Sequence, residues 1–279
     1  MMKKSKVNFI FFGTPDVASN TLRILKQNGL LPEVIVTSLD KPRGRKMVIT
    51  PSPVKVWAIE NGIPYLQPEK IDGAFISELK KYDVDLFLVV AYGKILPEEL
   101  INLPKKGTIN IHYSLLPKYR GASPVESALL NGDTATGVSI QKMVYKLDSG
   151  PIIARKNVEI NPDDNKETLR GNLIKTGAEL LLESLPDFLE DKIKLEEQKE
   201  EESTFCCKIK KEDGEIKLED NDLKNYNKYR AFYGWPGVFF FKEVDGKKIR
   251  YKITKARLEN NIFTIEKVIP EGKKETDYK

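Results

Sequence analysis

The sequence predicts a doubly wound α/β fold, built on a mostly parallel sheet and followed by a smaller β-rich domain. Three observations predict it. Apolar runs of strand length recur through the first half, and segments of helical length alternate with them; this is the pattern of a sheet with helices on both faces. A run rich in charge and poor in apolar residues interrupts the alternation near residue 190. Beyond it, β-forming clusters lie close together between turn signals.

Residues 7–12 (VNFIFF) end at Gly13 and read as a strand buried on both faces. Thr14, Pro15 and Asp16 then offer an N-cap with proline at the first helical position. Val17, Leu22 and Leu25 supply the inward face before Asn28-Gly29 stops the helix. Residues 33–38 (EVIVTS) form a second strand, residues 53–61 and 71–81 helices, and residues 85–91 (DLFLVVA) a third strand. Residues 108–112 (TINIH) are the fourth, 124–130 a helix, and 138–143 and 152–160 further strands. Residues 166–189 are one long amphipathic helix. The stretch after it, EDKIKLEEQKEEE, holds almost no apolar side chain and marks a boundary. The chain therefore divides into a large Rossmann-like domain (residues 1–189), a charged linker (190–204) and a small domain (205–279). The small domain has strands near 238–241, 248–253 and 261–268 and a turn at Asp245-Gly246.

With 40% apolar and 31% charged residues, the chain has the makeup of a globular protein with a substantial core. No apolar run approaches the ~18 residues of a membrane span. The basic start MMKKSKV and the apolar stretch after it lack a small-residue cleavage site, so they read as a first core strand. Cys206 and Cys207 are adjacent and are the only two cysteines, which excludes a disulfide framework and points to a reducing compartment, the cytoplasm. One histidine and two neighbouring cysteines cannot supply a usual zinc set, so no metal is expected. Residues 1–204 carry 28 basic and 28 acidic side chains, whereas residues 205–279 carry 18 and 13. A basic appendage on a neutral body suits a polyanionic partner; on charge alone a solvated lysine-rich surface fits as well.

In an open parallel sheet, ligands bind beyond the carboxyl ends of the strands. Asn110 and His112 alternate on one strand and so share a face. Asp148 lies in the turn Leu147-Asp148-Ser149-Gly150 after another strand. A carboxylate can orient an imidazole, while an amide and an imidazolium can donate to a developing oxyanion. Such a set suits acyl transfer to an amine without a covalent enzyme intermediate. On composition alone, a structural histidine and a common turn sequence fit the same residues. His112 is, however, the only histidine in the chain, hence the only imidazole available to a reaction near neutrality.

The stretch Asn110-Ile111-His112-Tyr113-Ser114-Leu115-Leu116-Pro117-Lys118-Tyr119-Arg120-Gly121, with Asp148 downstream, resembles the signature of the 10-formyltetrahydrofolate-dependent transformylases. The resemblance implies the formyltransferase fold. It implies that Asn110 and His112 stabilise the oxygen of a tetrahedral intermediate, and that Asp148 orients His112 and helps move protons from amine to leaving nitrogen. It also implies that Ser114, Leu115, Leu116 and Pro117 line the site of 10-formyltetrahydrofolate, a co-substrate. The strand end with Leu88, Val90 and Ala91, together with the Asp148 turn, would flank its pterin.

Within that family, Phe11-Phe12-Gly13-Thr14-Pro15-Asp16 and residues 40–55 resemble the methionyl-tRNA formyltransferases. Lys41, Arg43, Arg45 and Lys46 fall on the basic loop that those enzymes place against the tRNA acceptor arm, and Arg45 matches its key arginine. Residues 46–48 read Lys-Met-Val where the family often continues Gly-Lys-Lys, which thins the charge. Residues 208–216, Arg230-Ala231-Phe232, Trp235-Pro236-Gly237 and residues 270–274 match the family's C-terminal stretches, which implies an OB-like second domain against tRNA. Between Arg257 and Pro270 that domain is shortened. The resemblance thus implies formyl transfer to the α-amino group of methionyl-initiator tRNA by a cytoplasmic monomer with no membrane contact. The same core serves sugar-nucleotide N-formyltransferases, which often carry a reduced second domain. A glycinamide ribonucleotide transformylase would leave the basic loop and second domain without a purpose. A non-catalytic folate- or RNA-binding protein would not require Asn110, His112 and Asp148 together.

Overall fold

The computed structural model describes residues 7–44 and 46–278. The chain runs β1 (Phe9–Gly13), α1 (Asp16–Gln27), β2 (Val34–Val36), β3 (Lys41–Arg43), β4 (Val48–Thr50), α2 (Pro53–Glu60), β5 (Tyr65–Leu66) and α3 (Gly73–Leu79). It continues through β6 (Leu86–Val90), α4 (Glu98–Ile101), β7 (Thr108–His112), β8 (Arg120–Gly121), α5 (Pro124–Leu130), β9 (Ala135–Lys142), β10 (Ile152–Glu159) and α6 (Lys166–Leu189). It closes with β11 (Phe205–Cys206), α7 (Asp222–Ala231), β12 (Val238–Val244), β13 (Lys247–Glu259), β14 (Ile262–Pro270) and β15 (Thr276–Asp277). Packing divides it into two units, each assembled from three separate segments. The first takes the chain up to Pro117, Gly137–Lys156 and Leu173–Ser203; the second takes Lys118–Thr136, Asn157–Asn172 and Thr204–Lys279.

The first unit is built on a seven-stranded sheet in the order β10-β9-β7-β6-β1-β2-β5. The members from β7 to β5 run parallel, and β9 runs antiparallel to β7. Helices cover the sheet, which is why β1 and β6 are apolar and buried along their whole length. Phe12 shows the packing: its ring lies 5.1 Å from Phe87 and 5.4 Å from Tyr92. Phe75, Ile76 and Leu79 of α3 and Leu100 and Ile101 of α4 belong to the same cluster.

Two helix starts differ in an instructive way. Thr14 was expected to cap α1 with Pro15 inside the helix, but Pro15 is itself the N-cap and no side chain caps α1. Thr14 Oγ1 instead donates to the carbonyl of Tyr92 at 3.2 Å, tying together the chain just beyond β1 and β6. For α2, Ser52 is the cap: its Oγ accepts from Lys55 N at 3.0 Å and shares a 2.8 Å hydrogen bond with the buried Thr37 hydroxyl. Ser52→Ala is expected to lower stability by about 1–2 kcal/mol, read as a shift in the urea midpoint with an unchanged slope.

In the second unit, β12 to β15 form a small antiparallel sheet in sequence order, and β8 pairs with β11 in parallel. Helix α7 packs on α5 and was not expected from sequence. Its one leucine, Leu223, is exposed, and its buried side chains are Asn225, Asn227, Arg230 and Ala231. Specific polar bonds replace an apolar stripe there. Arg230 donates to the carbonyls of Pro162 and Asp164, both at 3.2 Å, and to Asn227 Oδ1 at 2.7 Å.

Candidate active site

Strand β7 positions the first two residues. Ile111 faces α6, where Gly177 permits close approach: a Cβ at that position would stand 3.0 Å from Ile111 and 3.2 Å from Val138. Asn110 and His112 therefore point to the opposite face, and they are 9% and 6% exposed. Strand β9 sets Gln141 opposite Asn110 and Ser139 opposite His112, so the four side chains share that face. Ser139 Oγ donates to the carbonyl of Ser114 at 2.7 Å and accepts from Leu116 N at 2.9 Å, which fixes the turn after His112.

Asp148 joins them by a route other than the one expected. Sequence reasoning set it in a turn that follows a strand, beyond the carboxyl ends of an open parallel sheet. Because β9 runs antiparallel, its end at Lys142 lies beside Ile109, and residues 143–150 must fold back to bring Asp148 near His112. The neck of this loop is closed by Lys142 N donating to Pro151 O at 2.9 Å. Gly150 sits so close to the neck that a Cβ would stand 1.8 Å from Lys142 O. Asp148 has a left-handed backbone, φ 46°. Its Oδ2 lies 3.7 Å from His112 Nδ1, within ion-pair range, and its side chain is 12% exposed. Its Oδ1 accepts from Gln141 Nε2 at 3.0 Å. Gln198 Nε2 donates to the carbonyls of Asp148, at 2.9 Å, and Gly150, at 2.7 Å.

The structure thus brings Asn110, His112 and Asp148 together and adds two residues that sequence reasoning missed, Gln141 and Gln198. Gln141 is 1% exposed, and among the described residues its Oε1 accepts no hydrogen bond. The carboxylate fixes the amide's orientation, since only the nitrogen can donate to it. Chemically, the cluster offers a carboxylate on the Nδ1 edge of an imidazole and an amide donor beside it, in a dry setting where donors act strongly on a developing charge. Among the described residues, no group of three or more His, Cys, Asp and Glu side chains is disposed to hold a metal, and no helix is long and apolar enough to cross a membrane.

Of the residues expected around folate, Leu88, Val90, Ser114 and Leu116 are fully buried. Leu115 and Pro117 are half-buried, and Ala91, exposed at the end of β6, has φ 48°. Ala91, Leu115 and Pro117 are thus the members of this set with surface open to solvent.

The basic segment is a hairpin where an open loop was expected. Lys41 pairs with Thr50 and Arg43 with Val48. Lys41 and Lys46 are exposed, and Arg45 lies outside the described residues. Met47, Val48 and Ile49 are also exposed, so the tip is apolar as well as basic. At its base, Lys55 Nζ meets Asp40 Oδ2 at 2.7 Å, and Gln67 Nε2 donates to Asp40 Oδ1 at 2.8 Å and Ser38 O at 2.7 Å. The bond from Lys55, then that from Gln67, holds the Asp40 carboxyl below its usual range. Lys55 is thus an anchor of the hairpin.

Comparison with known proteins gives the family. The model of the family described as formyl transferase matches residues 5–185, and that of the formyl transferase C-terminal domain matches residues 208–277. A methionyl-tRNA formyltransferase of Caldanaerobacter subterraneus is 41% identical over 254 residues, covering 90% of this chain and 81% of its own. That of Listeria innocua is 44% identical over 243 residues, covering 86% and 77%. Among solved structures, an N-formyltransferase from Helicobacter canadensis, in complex with folinic acid and dTDP-3-aminofucose, superposes with a TM-score of 0.67 at 20% identity, covering 91% of this chain and 88% of its own. The last is a likeness of fold. With both halves matched by family models and relatives this similar along most of its length, the chain belongs to the methionyl-tRNA formyltransferase family of formyl transferases.

Proposed function

We propose that the protein transfers the formyl group of 10-formyltetrahydrofolate to the α-amino group of methionine on initiator tRNA, in the cytoplasm and as a monomer, for translation initiation. The observation that carries this reading is the convergence of Asn110, His112 and Asp148 on one buried face, in a chain whose relatives at about 40% identity are named for that reaction. The amine attacks the formyl carbon and a C–N bond forms. The carbonyl electrons move onto oxygen, where the Asn110 amide and His112 donate to the oxyanion. The bond from that carbon to the folate nitrogen then breaks, and the nitrogen takes up the proton that the amine gives up. Asp148, facing His112 Nδ1, orients the imidazole and supports that transfer. Ala91, Leu115 and Pro117 contact the folate, while Lys41, Arg43, Arg45 and Lys46 hold tRNA phosphates.

The test is formyl incorporation by the purified protein from 10-formyltetrahydrofolate, offered methionyl-initiator tRNA or an amino-sugar nucleotide. Formylated tRNA supports the reading; activity on the sugar alone overturns it. Arg45→Ala is expected to raise the KM for tRNA or lower turnover about tenfold, the ~1.5 kcal/mol of one charge-assisted hydrogen bond, with folate affinity retained. Unchanged tRNA kinetics would remove Arg45 from the tRNA site.

A further inference from the structure

We propose that Gln198 is a positioning residue for Asp148, so that the charged stretch after α6 braces the loop carrying the catalytic carboxylate. The proposal rests on the catalytic reading of Asp148 given above. Aspartate tolerates a left-handed conformation better than most residues but has no built-in preference for it, and the loop must hold it there while keeping the carboxylate toward His112. The Gln198 amide nitrogen spans two carbonyls of that loop, those of Asp148 and Gly150. Because both acceptors are carbonyls, the nitrogen must be the atom facing them. One side chain thereby sets the Asp148–Ser149 and Gly150–Pro151 peptide groups and, with the first, the direction in which the Asp148 side chain leaves the backbone.

Gln198 is itself held in place. Glu196 N donates to Ile152 O at 3.0 Å and Ile152 N to Glu196 O at 2.8 Å, while both Glu196 carboxylate oxygens accept from Arg155 Nη1 at 2.8 Å. Residues 191–202 are exposed apart from Ile193, Leu195 and Gln198, so the one polar residue turned inward is the one on the loop. Lys146 and Glu200 add a 2.6 Å ion pair beside it, exposed and hence of small effect.

Three variants of the full chain test this. Gln198→Glu keeps the shape and removes the N–H donors, Gln198→Ala removes the reach, and Lys199→Ala is a control at an exposed pair with Glu202. For the first two, kcat is expected to fall on the order of 10- to 100-fold, with KM for folate and tRNA within about twofold of the parent. Gln198→Asn, which keeps the amide, is expected to recover part of the rate. His112 is the only histidine, so labelled histidine gives a single imidazole spectrum; Gln198→Glu should shift it and Lys199→Ala should not. In an Asp148→Asn background, Gln198→Glu should cause no further loss. If Gln198→Glu and Gln198→Ala keep the parent kcat and imidazole spectrum while Asp148→Asn is inactive, the positioning role is overturned and the catalytic reading stands. If Asp148→Asn is fully active, the catalytic reading fails and this inference falls with it.

Discussion

His112→Ala is expected to abolish formyl transfer while leaving the fold in place. Losing an oxyanion donor lowers rates about 10²–10³-fold, and losing a proton-transfer group lowers them about 10²–10⁴-fold; His112 is read as serving both ends. No second histidine exists to substitute. The fold should tolerate the change because Ile109 and Ile111, on the other face of β7, and not the imidazole, anchor the strand in the core. The measurement is single-turnover formylation beside a urea unfolding curve and a folate-binding titration. Turnover at the parent rate would place the chemistry elsewhere; loss of folding would make His112 structural.

Gly150→Ala is expected to damage both stability and rate. Its new methyl would stand 1.8 Å from the carbonyl of Lys142, at the neck of the loop that carries Asp148. Neither atom is the free end of a flexible side chain, so the backbone must part. Overpacking of this kind lowers stability by about 1–3 kcal/mol, and a displacement near 1 Å at Asp148 lowers kcat on the order of 10²-fold. Gly246→Ala is the control. Its φ is +73° and nothing lies near its missing Cβ, so it should lower stability by about 1–2 kcal/mol with kcat unchanged. A Gly150→Ala enzyme with parental stability and rate would show that the loop is not held at this neck.

The residues differ in how much of their role is legible in the sequence. The strand at 108–112 and the helices at 124–130 and 166–189 are readable because periodicity and turn signals are local. Asn110 and His112 follow from the alternation of that strand. Asp148 is identifiable from the motif but not from the topology, since the reversal of β9 is a long-range pairing that no local pattern encodes. Gln141 becomes visible only when the register sets it opposite Asn110. Gln198 sits in a charged run with no periodicity, where a single inward residue leaves no signature. Helix α7 escapes for a related reason: its buried face is asparagine and arginine, satisfied by specific bonds in place of an apolar stripe.

The segmented second unit sets the order of synthesis against the order of assembly. Helix α5 buries Val125, Ala128 and Leu129 and packs on α7, which lies about ninety residues further along the chain. At ribosomal rates of about 5–20 residues per second, those apolar side chains wait roughly 5–20 seconds for their cover. The same holds for Arg120–Gly121, whose strand partner is Phe205–Cys206. The nascent protein must therefore stay unaggregated while these segments lack their partners, which makes it a natural client of chaperones that hold emerging chains. For the same reason, no single cut releases an intact catalytic half: ending the chain at residue 189 would strand residues 118–136 and 157–172 without the segment that completes their unit.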